Sequence, residues 1–426
     1  QRNKKMSRGI DTVEKEKALL IAALSQRMDE SELNDHLDEL ALLADTAGAE
    51  VVGRVTQKIS KINPAFYIGK GKAEMLLSQA EELDVSLLIF DDELSPAQIK
   101  NYHKLAKDIK VIDRSALILD IFQKHAQSKE AKTQVDLAYF EYLLPRLTRQ
   151  WTHLERQMGG IGARAGMGET QIEIDRRLIR EQISRLKKDL KKIEKERQTQ
   201  GKKRADEFRC ALVGYTNAGK STLFNALTGA KVYVQNELFA TLDTTIRHLD
   251  INASHQLLLS DTVGFIRKLP HHLVASFRST LKEVIEANLL LIVLDMSSPQ
   301  IIEHSKTIES VLKDLHADEI KTLIVLNKVD AIQDENLIFK LQRRFPDSVM
   351  ISAKNHLRLS ELQKRIVSIM ETEYQTIDLS FSFEEGKKMA MAQEGVEVLE
   401  REWTETGVNL RIRGHQNRIE QLLKKN

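Results

Sequence analysis

Short, nearly uninterrupted apolar runs alternate with stretches whose apolar residues recur every three or four positions. This rhythm fills the first 120 residues and returns between about residues 205 and 370. It is the pattern of strands buried on both faces and joined by helices. In the first stretch, residues 18–24, 50–56, 85–91 and 110–113 read as strands. Residues 32–47 read as a helix capped by Ser31 and stopped near Gly48, and residues 95–106 as a second one opened by Ser95 and Pro96. In the later stretch the strands are expected at 209–213, 256–260, 289–295, 322–327 and 349–351. The final fifty residues read as strand 377–383, helix 385–404 and strand 408–413, a small α+β appendix without evident chemistry.

Between the two α/β stretches the period changes. Leu137, Phe140, Leu144, Leu147, Trp151 and Leu154 are spaced by three and four in turn, and so are Ile179, Ile183, Leu186, Leu190 and Ile193. Each set makes one helical seam, so two long helices are expected to pack as an antiparallel hairpin, the first kinked at Pro145. The turn between them, residues 159–170, holds five glycines, more than a helix connection requires. Such a tip lets backbone approach a flat or concave surface, and Arg164 is suited to stack on a base or meet a phosphate. The domains expected are therefore 1–120, 121–204, 205–372 and 373–426.

Composition narrows the class. Hydrophobic residues at 42% with only 5% aromatics describe a folded chain with aliphatic cores, and 426 residues suit two to four domains of about 100–200 residues each. The single cysteine, Cys210, excludes an internal disulfide framework and a cysteine-based metal site, which points to a reducing, cytoplasmic setting. The central apolar run 289–294 is far below the roughly 20 residues of a membrane span. The chain opens on Gln1 rather than methionine, as loss of a leader or of part of the N-terminus would leave it.

Charge changes the picture in one place only. With 64 basic and 62 acidic residues the net charge is +2, yet residues 176–204 carry 13 Lys or Arg against 4 Asp or Glu, a local excess of 9. A solvated coiled-coil face would explain the lysines; together with the glycine-rich tip they fit an arm that binds nucleic acid.

The chemistry begins at Gly214-Tyr215-Thr216-Asn217-Ala218-Gly219-Lys220-Ser221, which follows an apolar run and precedes a helical one. This is a phosphate-binding loop in its proper strand-loop-helix setting. Glycines let successive N–H groups curl around phosphate oxygens while the helix N-terminus contributes its positive end. Lys220 is expected to reach the β and γ phosphates and Ser221 to offer a hydroxyl to Mg²⁺. Three more elements follow in order. Asp261-Thr262-Val263-Gly264 lies 41 residues beyond Lys220. Asp261 there is suited to hold Mg²⁺ through a water, and the Gly264 N–H to sense the γ-phosphate. Asn327-Lys328-Val329-Asp330 supplies a carboxylate that accepts from the N1–H and the exocyclic amine of guanine, with Lys328 along the base. Ser352-Ala353-Lys354 can offer a backbone N–H to the guanine O6. The ligand expected is GTP or GDP with Mg²⁺, and a small-molecule kinase on the same loop is disfavoured by Asn327 and Asp330.

Between the loop and Asp261 lies Phe239-Ala240-Thr241-Leu242-Asp243-Thr244-Thr245-Ile246-Arg247. A GTPase needs here a threonine that meets Mg²⁺ and the γ-phosphate, and Thr241, Thr244 and Thr245 all qualify by type. Phe265 follows Gly264 where Ras-like enzymes carry a glutamine that orients the attacking water, which predicts slow hydrolysis by the isolated protein. Asp91 and Asp92 at a strand end read as turn or cap residues. His271 and His272 have no assigned role.

Taken together, the phosphate loop 214–221, the stretch 238–243, the run 261–270 and residues 151–157 (Trp-Thr-His-Leu-Glu-Arg-Gln) make the chain resemble the HflX family of translation-associated GTPases over most of its length. The resemblance implies a P-loop GTPase domain preceded by a small α/β domain and a long antiparallel helical hairpin, with the α+β appendix behind. By position, Thr241 matches the family's Mg²⁺-coordinating threonine and Ser221 its other protein ligand; Lys220, Thr241 and Gly264 are the catalytic residues implied. Also implied are binding to the large ribosomal subunit and its RNA, and the splitting or rescue of stalled ribosomes, with the glycine-rich tip near the peptidyl transferase centre; a monomeric protein without stable membrane insertion is expected besides. Asn217 resembles the asparagine of cation-activated GTPases, which implies a potassium ion. The tip departs from the family pattern by one extra residue and by Met167 where a proline is usual. A nucleotide-gated module whose basic coiled coil docks a protein or membrane surface is the competing reading.

Overall fold

The computed structural model describes all residues except 1–14, 27, 107, 148–170, 202–206, 231–237, 253–254, 269–280, 373, 395, 416–418, 421 and 424–426. The glycine-rich tip, Trp151, Leu154, His271 and His272 therefore lie outside the described residues. By internal contacts the chain divides into two units. One is Gln1–Lys124 with Val135–Lys187, and the other is His125–Gln134 with Lys188–Asn426. These units cut across the four expected domains.

The first unit is built on a four-stranded sheet in the order β2-β1-β3-β4, comprising β1 (Lys17–Leu24), β2 (Glu50–Lys58), β3 (Leu87–Phe90) and β4 (Lys110–Asp113). Every pairing is parallel. Helix α1 (Glu30–Ala47) begins two residues ahead of expectation because its cap is Asp29, whose carboxylate accepts the Glu32 N–H at 2.7 Å; Gly48, at φ 90°, closes it. Two helices escape the reading above, α2 (Lys70–Glu82) and, directly after β4, the helix Arg114–His125. Between them α3 (Pro96–Leu105) carries the expected cap as a full capping box of Ser95 and Gln98. The helix Arg114–His125 is α4.

Asp91 is not a cap. It is buried, lies 2.9 Å from the Arg114 guanidinium, and shares that cation with Glu39. Asp92 accepts the Tyr67 hydroxyl. Both carboxylates thus tie elements together, Asp91 in the interior, where a buried charge persists only when paired.

Helix α5 (Lys129–Leu143) does not kink at Pro145; it stops before it, and Leu144–Arg146 is a single 3₁₀ turn. Its partner α6 (Gln171–Gly201) begins beyond the tip. Leu143, Leu147 and Ile179 form a small core flanked by Phe140, Leu144 and Ile183, so the two predicted seams do meet.

The second unit holds a six-stranded sheet in the order β10-β9-β8-β5-β7-β6. Its strands are β5 (Arg209–Gly214), β6 (Thr245–Asn252), β7 (His255–Asp261), β8 (Leu289–Asp295), β9 (Lys321–Asn327) and β10 (Val349–Met350). All pair in parallel except β6, which runs antiparallel to β7 at the edge. Helix α7 (Lys220–Thr228) leaves the end of β5, and α8 (Ile301–Asp314), α9 (Glu335–Arg344) and α10 (Leu359–Glu371) follow the later strands. A core of Leu212, Phe224, Leu259, Leu291, Val325 and Ile351 lies among them.

The appendix is an antiparallel sheet in the order β11-β13-β12, with β11 at Tyr374–Ser382, β12 at Glu397–Trp403 and β13 at Gly407–His415. The long helix expected over 385–404 is corrected. Helix α11 covers only Gly386–Gln393, and Glu397–Trp403 is strand β12, paired with β13 (Gly407–His415). Strand β12 is largely solvent-facing, so the apolar alternation that marks a half-buried strand is missing from its sequence.

Candidate nucleotide site

Parallel strands of a doubly wound sheet gather their following loops at one edge, and that edge holds every predicted motif. The phosphate loop follows β5, the Asp261 segment follows β7, Asn327 ends β9, and Ser352 follows β10. All lie within the second unit.

The phosphate loop is defined by close approach. A Cβ on Gly214 would fall 2.4 Å from the Val293 carbonyl oxygen, and one on Gly219, at φ 92°, would fall 2.3 Å from Asn327 Nδ2. Neither position tolerates a side chain. Asn217 also sits in the left-handed region, at φ 60°. Lys220 opens α7 and is buried, its ammonium donating to the carbonyls of Gly214 at 3.1 Å and Tyr215 at 2.9 Å. Burial pulls its pKa down to about 8, against the opposing pull of Asp261. A lysine so poorly solvated gains strongly from an anion placed on the loop.

Beside it three oxygens converge from three elements. Ser221 Oγ, on α7, donates to Asp261 Oδ2 at 2.6 Å, and it lies 2.8 Å from Thr241 Oγ1. Asp261 is completely buried, and burial raises its pKa while the Ser221 hydrogen bond and the Lys220 charge oppose the shift. Its Oδ1 is buried without a hydrogen-bond partner. Hydroxyl and carboxylate oxygens are the ligands a hard cation such as Mg²⁺ takes, and a buried carboxylate oxygen with lone pairs to spare fits that ion. Of the three threonines open by type, Thr241 is the one that joins Ser221 and Asp261.

The segment after Asp261 closes on the phosphate loop. Phe265 N donates to Gly214 O at 3.0 Å and Thr216 N to Phe265 O at 2.8 Å. Tyr215 adds two ties, with its hydroxyl accepting the Arg267 N–H at 2.8 Å and its ring stacked on His304 of α8, centroids 3.8 Å apart. Gly264 is so tightly enclosed that a Cβ would meet Thr216 at 2.8 Å and the Lys220 ammonium at 3.0 Å. The Phe265 ring is buried, as packing demands, and offers no group to orient a water. Thr262 Oγ1 donates to the Leu212 carbonyl at 2.6 Å, and Val263 is buried; both support the strand end.

On the base side Asn327 acts as a cross-brace. Its Nδ2 donates to Ala218 O at 2.9 Å and its Oδ1 accepts the Ala353 N–H at 3.0 Å, joining the phosphate loop to the loop after β10. Lys328, at φ 65°, is pinned by Asp295 at 2.8 Å, an acid at the end of β8 that no motif singles out. Val329 and Asp330 form a 3₁₀ turn with the Asp330 side chain exposed. Ser352 Oγ accepts the Asn355 N–H at 3.1 Å and so folds the loop that carries Ala353 and Lys354.

Around Thr241, Phe239 and Leu242 are buried, while Ala240 is partly so. Asp243 stands apart from the nucleotide motifs with which its sequence position groups it. One carboxylate oxygen accepts the backbone N–H groups of Gln127 at 2.9 Å and Ser128 at 3.1 Å, and the other accepts the Ser128 hydroxyl. Those partners are 115 and 116 residues away, and no local motif announces them.

Comparison with known proteins agrees with this architecture. Residues 34–123 match the family described as GTP-binding GTPase N-terminal, residues 125–204 the GTP-binding GTPase middle region, and residues 209–328 the 50S ribosome-binding GTPase family. The chain is similar to GTPase HflX of Flavobacterium psychrophilum, 50% identical over 75% of this chain and 77% of that protein. It is similar also to GTPase HflX of Caldanaerobacter subterraneus, 45% identical over 93% and 91%. A solved complex of SsGBP with GDP is 27% identical, covers 83% of this chain and 98% of that one, and superposes with a TM-score of 0.46.

Proposed function

The chain belongs to the HflX family of GTPases, and on that footing we propose that it is a ribosome-associated switch whose hydrolysis of GTP is completed on the large ribosomal subunit. The observation that carries the reading is the convergence of Ser221, Thr241 and Asp261 beside Lys220, three elements that meet only where a metal-bound triphosphate would lie.

In this reading Lys220 and the N–H groups of the phosphate loop, residues Gly214 to Ser221, cradle the β and γ phosphates. Ser221 and Thr241 would hold Mg²⁺ by their hydroxyls, and Asp261 would hold it through a water. Bound Mg²⁺ supplies neutralisation of charge on the β and γ oxygens. Gly264 offers its N–H to the γ-phosphate, with Thr262 and Val263 fixing its position. Asp330 accepts from the N1–H and 2-amino group of guanine, Lys328 lies along the ring, and Val329, Ser352, Ala353 and Lys354 shape the base pocket. Asn217 would help to hold a potassium ion, which would add positive charge beside the phosphates.

Because Phe265 cannot orient water, turnover by the free protein is slow. Docking on the ribosome fixes Thr241 against the γ-phosphate and accelerates turnover. The basic helix Gln171–Gly201 contacts ribosomal RNA, and release of GDP-bound protein follows splitting or rescue of a stalled ribosome. Co-sedimentation of the full chain with large subunits, in GDP, in a non-hydrolysable GTP analogue and without nucleotide, tests the reading. Retention with the analogue alone supports it; equal sedimentation in all three contradicts it and leaves a module that docks elsewhere.

A further inference from the structure

The two residues that flank Leu242 hold different things. Thr241 reaches the Ser221 hydroxyl at 2.8 Å, while Asp243 holds the start of α5 through the N–H groups of Gln127 and Ser128 and the Ser128 hydroxyl. All of these residues lie in the same unit. The start of a helix leaves backbone N–H groups without intrahelical partners, and an anion placed there gains from charge-assisted hydrogen bonds and from the helix dipole. Ser128 is itself the cap of α5, its Oγ accepting the Ala131 N–H at 3.0 Å and its carbonyl the Lys132 N–H at 3.0 Å. Asp243 therefore grips a segment that is already rigid.

Two buried side chains anchor the segment between the two sites. Phe239 is held at φ 58°, a conformation a bulky residue adopts only when its surroundings impose it, and Phe239 and Leu242 are buried at 3% and 1% exposure. With Leu242 anchored between them, Thr241 and Asp243 cannot move independently. The gripped segment also has a distinctive place in the chain. His125–Gln134 belongs with the GTPase unit but is preceded and followed in sequence by the other unit, and α5, which starts within it, runs on to Leu143.

We propose that Asp243 is a positioning residue for GTP hydrolysis: by clamping the N-terminus of α5 it sets where Thr241 stands, and in return the nucleotide state sets how firmly α5 is capped. This rests on the role given to Thr241 above. Thermodynamic linkage makes the coupling reciprocal. A displacement of the α5 N-terminus is felt at Thr241, and a γ-phosphate that fixes Thr241 is felt at Gln127 and Ser128.

The test uses the full chain and the variants Asp243→Asn, Ser128→Ala, the double variant, and Thr241→Ala. Asparagine keeps one carbonyl acceptor but loses the charge and the second acceptor oxygen. The expected result is a single-turnover rate for Asp243→Asn lower by about tenfold or more, as misplacement of a reacting group produces, with GDP affinity unchanged. The double variant should lose little beyond the more affected single one, since both remove the same clamp. In the wild type, amide hydrogen exchange over residues 127–132 should slow with a GTP analogue relative to GDP, and Asp243→Asn should abolish that difference. A wild-type rate for Asp243→Asn, additive losses in the double variant, or exchange indifferent to nucleotide in the wild type would each overturn the inference. If Thr241→Ala hydrolyses GTP normally, the assignment of Thr241 fails instead, whatever Asp243 does.

Discussion

Thr241 Oγ1 stands 2.8 Å from Ser221 Oγ although 20 residues separate the two, and the same serine hydroxyl donates to Asp261. The three side chains come from a loop, a helix start and a strand end, so their meeting is a property of the folded site. Replacing Thr241 by alanine should slow single-turnover hydrolysis by about 10²–10³-fold, the usual loss when one aligned polar group is removed from a developing-charge site. GDP affinity should be unaffected, because Ser221 and Lys220 remain.

Asp330 is exposed, and under the proposed function its carboxylate reads the base through two hydrogen bonds. Asp330→Asn exchanges an acceptor for a donor. Loss of two charge-assisted hydrogen bonds, at about 1.5–3 kcal/mol each, should weaken GTP more than about a hundredfold. The same variant should gain affinity for xanthosine triphosphate, whose base carries a carbonyl in place of the amine. Calorimetry with both nucleotides checks the exchange.

Gly264 has no space for a methyl group against Thr216 and Lys220. Gly264→Ala should therefore force the segment after Asp261 away from the phosphate loop, breaking the two backbone bonds between Phe265 and residues Gly214 and Thr216. Loss of hydrolysis with retention of GDP is the expected outcome, read by single-turnover kinetics and equilibrium binding.

Asn327 bridges two loops with both ends of its amide. Asn327→Ala leaves the buried Ala218 carbonyl and Ala353 N–H without this partner, which costs about 1–3 kcal/mol for each unsatisfied group. Nucleotide affinity and thermal stability should fall together, measured by calorimetry and thermal unfolding.

The arm carries its own prediction. Replacing Lys187, Lys188, Lys191 and Lys192 by glutamine should lower affinity for large subunits and flatten its dependence on salt, because fewer counterions are displaced. GTP affinity should stay constant. Lys187 pairs with Glu141 at 2.8 Å on an exposed surface, an interaction worth at most about 1 kcal/mol, so the quadruple variant should still fold.

Local chemistry is the part most legible along the chain. The phosphate loop and Ser352 follow strands whose apolar runs are legible, Asp261 and Asn327 end theirs, and the sheet brings these positions to one edge. Helix α2 has a readable apolar spacing, with Ala73, Leu76, Leu77 and Ala80 buried; α4 follows β4 with no breaking residue to mark its start. Strand β12 misled because its exposed charges, Glu400, Arg401 and Glu402, look like a helix surface. The contacts of Asp243 with Gln127 and Ser128, of Lys328 with Asp295 and of Tyr215 with His304 depend on tertiary packing, and nothing in the local sequence encodes them.

Phe265 is buried and offers no polar group to align water, so the decisive measurement is single-turnover GTP hydrolysis with and without purified large ribosomal subunits. Acceleration by the subunits, lost when Thr241 is replaced by alanine, is the result predicted. Equal rates in their presence and absence would contradict the account.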